Sequence, residues 1–305
     1  MTYELQGMAA LPHLGILRAE GEDAVKFLQG QLTQDVALLG PDQARLAAFC
    51  SAKGRMQASF VAIKRSPTDI LLVCSADLLP ATLKRLSMFV LRAKLKLTDA
   101  TAAFELRGLA GGTVTALMGG NHAPWTKVDA GEASMVTLYP ANGTPRALWL
   151  APAGSALPDA PPLGDDAWAW GEVQSGVATL TVPIADAFVP QMLNYESIGG
   201  VSFKKGCYPG QEVVARSQFR GTLKRRGYLL RADAAMAPGD EVFQPGDAEQ
   251  PCGSVAQAAR AADGSYVAIA SLQVAAALAG DLRLKAASGP VLALQPLPYA
   301  LLEDI

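Results

Sequence analysis

Between Arg45 and Asp99 the spacing of apolar residues switches period, and this constrains the fold more than any other feature of the 305-residue chain. "RLAAFCSAKGRMQASFVAIKRS" alternates as two strands around a turn at Ala52-Lys53-Gly54. Ser66-Pro67-Thr68-Asp69 predicts a second turn, and "ILLVCS" at 70–75 predicts a buried strand. From Asp77 to Arg92 the residues Leu79, Leu83, Leu86 and Val90 fall on one face of a helix. "AKLKLTD" then returns to alternation. A single helix set among strands calls for helices packed on a largely antiparallel sheet, an α+β architecture.

The same signals extend along the chain. "GEDAVKFLQG" at 21–30 predicts a short helix capped by Asp23, with Val25, Phe27 and Leu28 as its apolar face. "FELRGL" predicts a strand leading into a helix. Residues 151–164 are rich in Pro, Ala and Gly and read as a linker or exposed loop. "DDAWAWGEVQSG" at 165–176 reads as a helix holding two tryptophans. After Gly221 short alternating runs are punctuated by Pro-Gly, Asp-Gly and Ser-Gly-Pro turns, with a hairpin signal at Asp263-Gly264. They predict a small β-barrel over 221–305, behind a larger α+β region over 1–220.

Composition narrows the function classes. Half of the residues are apolar and 18% are charged, enough for a large core. The net charge of −2 argues against a globally nucleic-acid-binding chain. The most apolar region, 70–91, is interrupted by Asp77, Lys84 and Arg85, too soon for a membrane span. The four cysteines form no CxxC pair and the N-terminal residues do not read as a secretory signal, so free thiols in the cytoplasm are expected. His13 and His122 are isolated, and no tightly bound metal is expected.

Charge is concentrated in one window. Residues 204–226 hold Lys204, Lys205, Arg216, Arg220, Lys224, Arg225 and Arg226 against the single acid Glu212. Such a window is either a solvated basic loop or an anion site, with Lys204, Arg216 and Arg220 as the candidate anion contacts. Phe203, Tyr208 and Phe219 interleave with the cations and suit stacking on a flat ring or a base.

Cys207 sits inside that window. Pro209-Gly210 fits the centre of a type II turn, and Gly206 and Gly210 would let the chain bend on both sides of the thiol. A helix starting near Gln211, together with Lys204 and Lys205, would favour the thiolate. Cys50 and Cys74 lie in apolar strands, whereas Cys252 falls at a Pro-Cys-Gly turn where exposure is expected.

The stretch "FVPQMLNYESIGGVSFKKGCYPGQEVVARSQFRGTLKRR" resembles the signature of the YgfZ family, whose hallmark is K-G-C-Y-x-G-Q-E. Here that hallmark is Lys205, Gly206, Cys207, Tyr208, Gly210, Gln211 and Glu212. "FLQGQLTQDV" at 27–36 and "LQPLPYALLE" at 294–303 resemble the family's two ends. The resemblance implies ferredoxin-like domains of the glycine-cleavage T-protein type around a central channel, followed by a C-terminal barrel. It implies tetrahydrofolate or a one-carbon derivative as ligand. It also implies a cytoplasmic monomer that supports biogenesis or repair of iron–sulfur client enzymes, including one that methylthiolates tRNA. Contact with nucleic acid would be weak or indirect.

The resemblance also marks departures. T-proteins carry adjacent aspartates after a Gly turn, where this chain has Ala58 and Ser59. Relatives often read E-A-G where this chain reads Gln174-Ser175-Gly176, and a family tryptophan is replaced by Leu14. Trp168 matches a family tryptophan implicated in folate binding, so Trp168 and Gln174 are the expected folate contacts. Two other readings stay open: an aminomethyltransferase of the glycine-cleavage type, and an RNA-binding module.

Overall fold

The computed structural model describes residues 3–219, 222–247 and 249–302. In chain order the first half contains β1 (Gly7–Ala10), β2 (Leu14–Glu20), α1 (Ala24–Gln29), β3 (Ala44–Cys50), β4 (Met56–Ser66), β5 (Asp69–Ser75), α2 (Leu79–Ser87) and β6 (Lys96–Asp99). There follow β7 (Phe104–Ala110), α3 (Gly112–Met118), β8 (Lys127–Ala130), β9 (Ala133–Ala141), β10 (Thr144–Pro152) and α4 (Asp165–Gln174). These strands form two antiparallel sheets of five, ordered β3-β4-β5-β2-β6 and β1-β7-β10-β9-β8.

Strand alternation sorts each sheet into two faces. In the first sheet Leu17, Ala47, Phe49, Phe60 and Leu72 point outward and are buried under α1 and α2. In the second, Leu109, Ala147 and Trp149 point outward against Val114 and Met118 of α3. The inner faces carry Ile16, Leu46, Ala48, Leu71 and Val73 from the first sheet, and Ala110, Val136, Leu148 and Leu150 from the second. Both sets join one apolar cluster that also takes in Trp168 and Val173 of α4.

The second half runs through α5 (Gln211–Phe219) into β11 (Arg225–Ala232), β12 (Glu241–Phe243), β13 (Gly253–Arg260), β14 (Tyr266–Gln273), α6 (Val274–Ala279), β15 (Leu282–Leu284) and β16 (Val291–Gln295). The six strands close into a barrel, in the order β11-β14-β13-β12-β15-β16. The α+β reading and the C-terminal barrel therefore both hold. The hairpin at Asp263-Gly264 is present as well, with Gly264 at φ +87° in a loop between Arg260 and Tyr266. Among the described residues no helix is long and apolar enough to cross a membrane.

Three local expectations are corrected. The Asp23 side chain makes no cap to α1; its Oδ2 accepts from the Lys94 amide at 2.8 Å, tying α1 to the segment before β6. The helix expected over 77–92 ends at Ser87, which leaves Met88, Phe89 and Leu91 exposed. Of the two readings of 151–164, the exposed loop holds from residue 153 onward and the free linker does not. Ala151 and Pro152 finish β10, the Met8 amide donates to the Pro161 carbonyl, and the Leu163 amide donates to the Met8 carbonyl.

The barrel is clamped to the rest by Asn194, which is fully buried at φ +59°. Its Nδ2 donates to the Gly227 carbonyl at 2.8 Å and its Oδ1 accepts from the Gly227 amide at 3.0 Å. Asn suits the spot twice over, because it tolerates left-handed backbone and mimics a peptide in pairing with β11. Asn194→Ala leaves both Gly227 groups buried without partners and keeps the strained φ. It should cost about 2–4 kcal/mol in urea unfolding. Asn194→Gly, which relieves only the backbone, should recover less than half of that loss.

Candidate functional site

The loop that carries Cys207 is laced to the segment after α1. Thr33 Oγ1 donates to the Gly200 carbonyl at 2.7 Å, Gln34 Nε2 donates to the Gly199 carbonyl at 2.6 Å, and the Ser202 amide donates to the Thr33 carbonyl at 2.9 Å. Lys205 then turns inward. Its buried ammonium donates to the Gln29 carbonyl at 2.5 Å and the Leu32 carbonyl at 2.6 Å, and lies 4.7 Å from the centre of the Tyr208 ring. These carbonyls belong to the C-terminal end of α1 and the turn beyond it, where main-chain acceptors lack helical partners and a cation is welcome. Burial pulls Lys205 down to about 8, against the opposing charges of Asp35 and Cys207.

The turn that follows is the expected one. Gly210 has φ +79° and the Gln211 amide donates to the Tyr208 carbonyl at 3.2 Å, so Tyr208-Pro209-Gly210-Gln211 is a type II turn. Gly210 is also a point of backbone contact. A Cβ there would fall 2.4 Å from the Ser51 carbonyl oxygen and 2.6 Å from Gly54 Cα, in the turn between β3 and β4. Gln211 opens α5 and Glu212 stands exposed in its first turn, where an acid suits the helix dipole. Gly206, by contrast, has an ordinary φ and open space around it, so the bend before the thiol does not need glycine.

Cys207 is exposed, and it is the one exposed cysteine of the four. Cys50 and Cys74 are buried, and burial pushes both thiols up to about 12. Cys252 is buried too, at 5% exposure, contrary to the expectation from its Pro-Cys-Gly setting. Its amide and carbonyl are tied to the Val242 carbonyl and the Gln273 amide, which draws that turn into the barrel.

The basic window dissolves as a single surface. Arg226 is buried in an ion pair, its Nη1 2.7 Å from Glu196 Oε1. Arg225 Nη1 donates to the Cys252 carbonyl at 3.0 Å. With Lys205 turned inward as well, Lys204, Arg216 and Lys224 remain exposed. Arg220 lies outside the described residues.

A narrow cavity of ≈ 60 Å³ lies between the inner faces of the two sheets, with Glu172 and Ser175 from α4 in its wall. Leu14, Val73 and Leu148 supply apolar wall, Trp125 and Tyr139 supply aromatic wall, and Ser59 and Arg146 are among its polar members. Alternation along β4 explains why Ser59 lines the cavity while Ala58 packs into the outer core. Trp168 is not in the lining. It is buried one layer behind, against Gly108, where a Cβ would meet its ring at 2.6 Å. Gln174 also stands outside the lining, its Nε2 3.4 Å from Gln295 Oε1 of β16. Cys207 does not border the cavity either.

Two residues that the sequence reading did not single out carry the polar end of this cavity. Glu172 Oε1 accepts from Trp168 Nε1 at 3.0 Å and lies 3.1 Å from His13 Nε2; Oε2 lies 3.3 Å from Gln257 Nε2 of the barrel. The guanidinium of Arg146 lies 4.3 Å from the centre of the Trp168 ring. Burial lowers Arg146 to about 10, with the charge of Glu172 opposing.

No family model matches the chain. It is 30% identical over 310 residues to the tRNA-modifying protein YgfZ of Yersinia enterocolitica, covering 97% of this chain and 93% of that protein. It is 32% identical over 302 residues to the protein of the same name from Edwardsiella ictaluri, covering 93% of this chain and 89% of that one. Among solved structures, the glycine cleavage system aminomethyltransferase T from Bartonella henselae matches with a TM-score of 0.68 at 16% identity, over 97% of this chain and 87% of that one. That likeness establishes the fold.

Two measurements follow from the geometry. Gly210→Ala should cost more than about 1 kcal/mol of stability, because it adds a clash to a left-handed φ. Gly206→Ala, in open space at an ordinary φ, should stay within about 0.5 kcal/mol. Loss of stability at both sites, or at neither, would contradict the contact between Gly210 and Gly54. His13 is the second case. Burial of its ring lowers the pKa, but the hydrogen bond and charge of Glu172 outweigh it, so the folded value lies above the ordinary 6.5. The stabilisation is therefore complete below pH 6.5 and fades as pH rises through the folded value. NMR titration should show Glu172→Gln lowering the His13 midpoint.

Proposed function

The chain belongs to the YgfZ family, and from that premise we propose that it is a folate-binding accessory protein for tRNA modification. In this reading it assists the biogenesis or repair of iron–sulfur enzymes, including one that methylthiolates tRNA, and Cys207 is its working thiol. The observation that carries the reading is the setting of Cys207. Three hallmark neighbours, Lys205, Tyr208 and Gly210, are spent on fixing the loop, and the thiol alone among the four is left exposed. An exposed thiol on a rigid loop, away from the cavity, is suited to chemistry on a partner protein.

The lining of the cavity between the sheets suits the ring of a folate-type ligand in kind, and the cavity would have to widen to take the whole molecule. Its aromatic walls at Trp125 and Tyr139 suit a flat heterocycle, and the buried Nε of Arg146 has no hydrogen-bond partner among the described residues. Trp125, Tyr139 and Arg146 are the residues that would hold the ligand, with Glu172 positioned by His13, Trp168 and Gln257. A reduced folate, when bound, supplies one-carbon chemistry. The chain's own part is to bind, orient and shield it.

Aminomethyl transfer is disfavoured. Of the two positions matched to aspartates, Ala58 packs in the outer core and Ser59 offers the cavity a hydroxyl already accepting from the Leu180 amide at 2.9 Å. Neither can take a proton as a carboxylate does. The RNA-module reading loses weight because Lys205, Arg225 and Arg226 are engaged within the protein.

Complementation tests the proposal. In cells lacking their own YgfZ protein, the wild-type chain should restore methylthiolated tRNA and Cys207→Ser should not, at equal protein level. Full rescue by Cys207→Ser would remove the thiol from the mechanism. Limited alkylation with iodoacetamide should label Cys207 first, with Cys50, Cys74 and Cys252 protected until unfolding. Equal labelling of Cys252 in the folded protein would break the link between exposure and role.

A further inference from the structure

Four lysine and arginine residues are buried among those described: Lys127, Arg146, Lys205 and Arg226. Three are engaged with oxygen acceptors. Lys127 reaches the Pro41 carbonyl and Asp129, Lys205 the Gln29 and Leu32 carbonyls, and Arg226 Glu196 and the Leu302 carbonyl. Arg146, at 3% exposure, donates no hydrogen bond to any described residue, and its Nε is buried without a partner.

Its position makes that more pointed. On β10 the inward positions continue as Leu148 and Leu150, while Ala147, Trp149 and Ala151 face the outer core. A leucine or methionine at 146 would complete an apolar row. A guanidinium there loses hydration and gains only the Trp168 face and a through-space attraction to Glu172. The neighbouring structure makes room for it: a Cβ at Gly171 would lie 3.4 Å from Arg146 Nε. Glu172 makes no hydrogen bond to it; the contacts of its carboxylate are to Trp168, His13 and Gln257. Tyr139 lines the same cavity, and among the described residues its hydroxyl makes no hydrogen bond. Arg146 and Tyr139 thus each bring an unused donor to the cavity.

We infer that Arg146 is the recognition residue of this cavity, donating to an acceptor oxygen, oxo or carboxylate, of a flat organic ligand. Fold energetics alone disfavour a buried guanidinium without acceptors, whereas a ligand oxygen would complete its fork. For the identity of its first probe the inference rests on the folate reading.

The test is calorimetric titration of wild type, Arg146→Lys and Arg146→Met with 5-formyltetrahydrofolate. Two fragments serve as further arms: 6-methyltetrahydropterin, which has the ring oxo group without carboxylates, and p-aminobenzoylglutamate, which has carboxylates without the pterin. Arg146→Met should weaken folate binding at least about tenfold. Arg146→Lys, which keeps the charge and loses the fork, should fall between. Whichever fragment shows the same loss identifies the oxygen that Arg146 meets. The melting temperature of ligand-free Arg146→Met should equal or exceed that of wild type, because the variant removes an uncompensated buried charge. Should it fail to fold, a loss of affinity in Arg146→Lys at unchanged melting temperature supports the inference, and unchanged affinity overturns it. Equal binding of folate and both fragments by wild type and Arg146→Met overturns it outright. If wild type binds no folate, the folate reading fails. The Arg146 inference then stands only if a panel of aromatic carboxylates and oxo-heterocycles binds in an Arg146-dependent way, and falls if none does.

Discussion

One apolar core runs through all three β units. The inner faces of both sheets, the buried side of α4, and Leu229, Ala256, Val267 and Ile269 of the barrel belong to the same cluster. No sheet can bury its inner face without the others, so the cavity between them is a product of the whole fold. The polar contacts at the barrel junction serve the same end. Asn194 pairs with Gly227, and the buried Arg226 to Glu196 ion pair sits beside it, anchored further by the Leu302 carbonyl. Such a pair adds little net stability, yet it is costly to break once buried, and so it fixes how the barrel docks.

Against that frame the motif around Cys207 divides into residues that hold and one that is held. Lys205 supplies a cation to carbonyls that the end of α1 leaves without helical partners. Tyr208 covers it, and Gly210 lets two backbones meet. A string of conspicuous residue types thus serves placement, and the thiol is left exposed. Three of the window's seven cations, Lys205, Arg225 and Arg226, are engaged within the protein, which is why a count of seven overstates the anion-binding surface.

The strands, the hairpins and the barrel were legible in the sequence because period and turn chemistry are local. Helix ends were less so: α2 stops at Ser87 although Val90 continues its apolar spacing, because Val90 packs from outside the helix. The site was legible only where one segment carries it, as in Lys205 to Glu212. The cavity is assembled from β2 through β10 and α4, and its polar residues meet across more than a hundred residues of chain. Trp168 and Gln174 were named from the family resemblance, while Glu172, four residues after Trp168 and one helical turn away, holds the cavity position. A signal for Arg146 did exist. In "RALWLAP" it shares strand parity with Leu148 and Leu150, which marks a cation on a buried face.

Thiol and cavity are separate, yet the hairpin of β3 and β4 belongs to both. Its body gives Leu46, Ser59 and Val61 to the cavity wall. Its tip gives Ser51 and Gly54 to the contact with Gly210 and Val213, beside the thiol loop. A Cβ at Gly54 would meet Val213 Cβ at 2.9 Å and the Gly210 carbonyl oxygen at 3.2 Å, so tip and loop fit with no slack. Close-packed elements of this kind move as units and transmit strain. The two glycines are therefore the point at which the hairpin that walls the cavity touches the loop that carries Cys207.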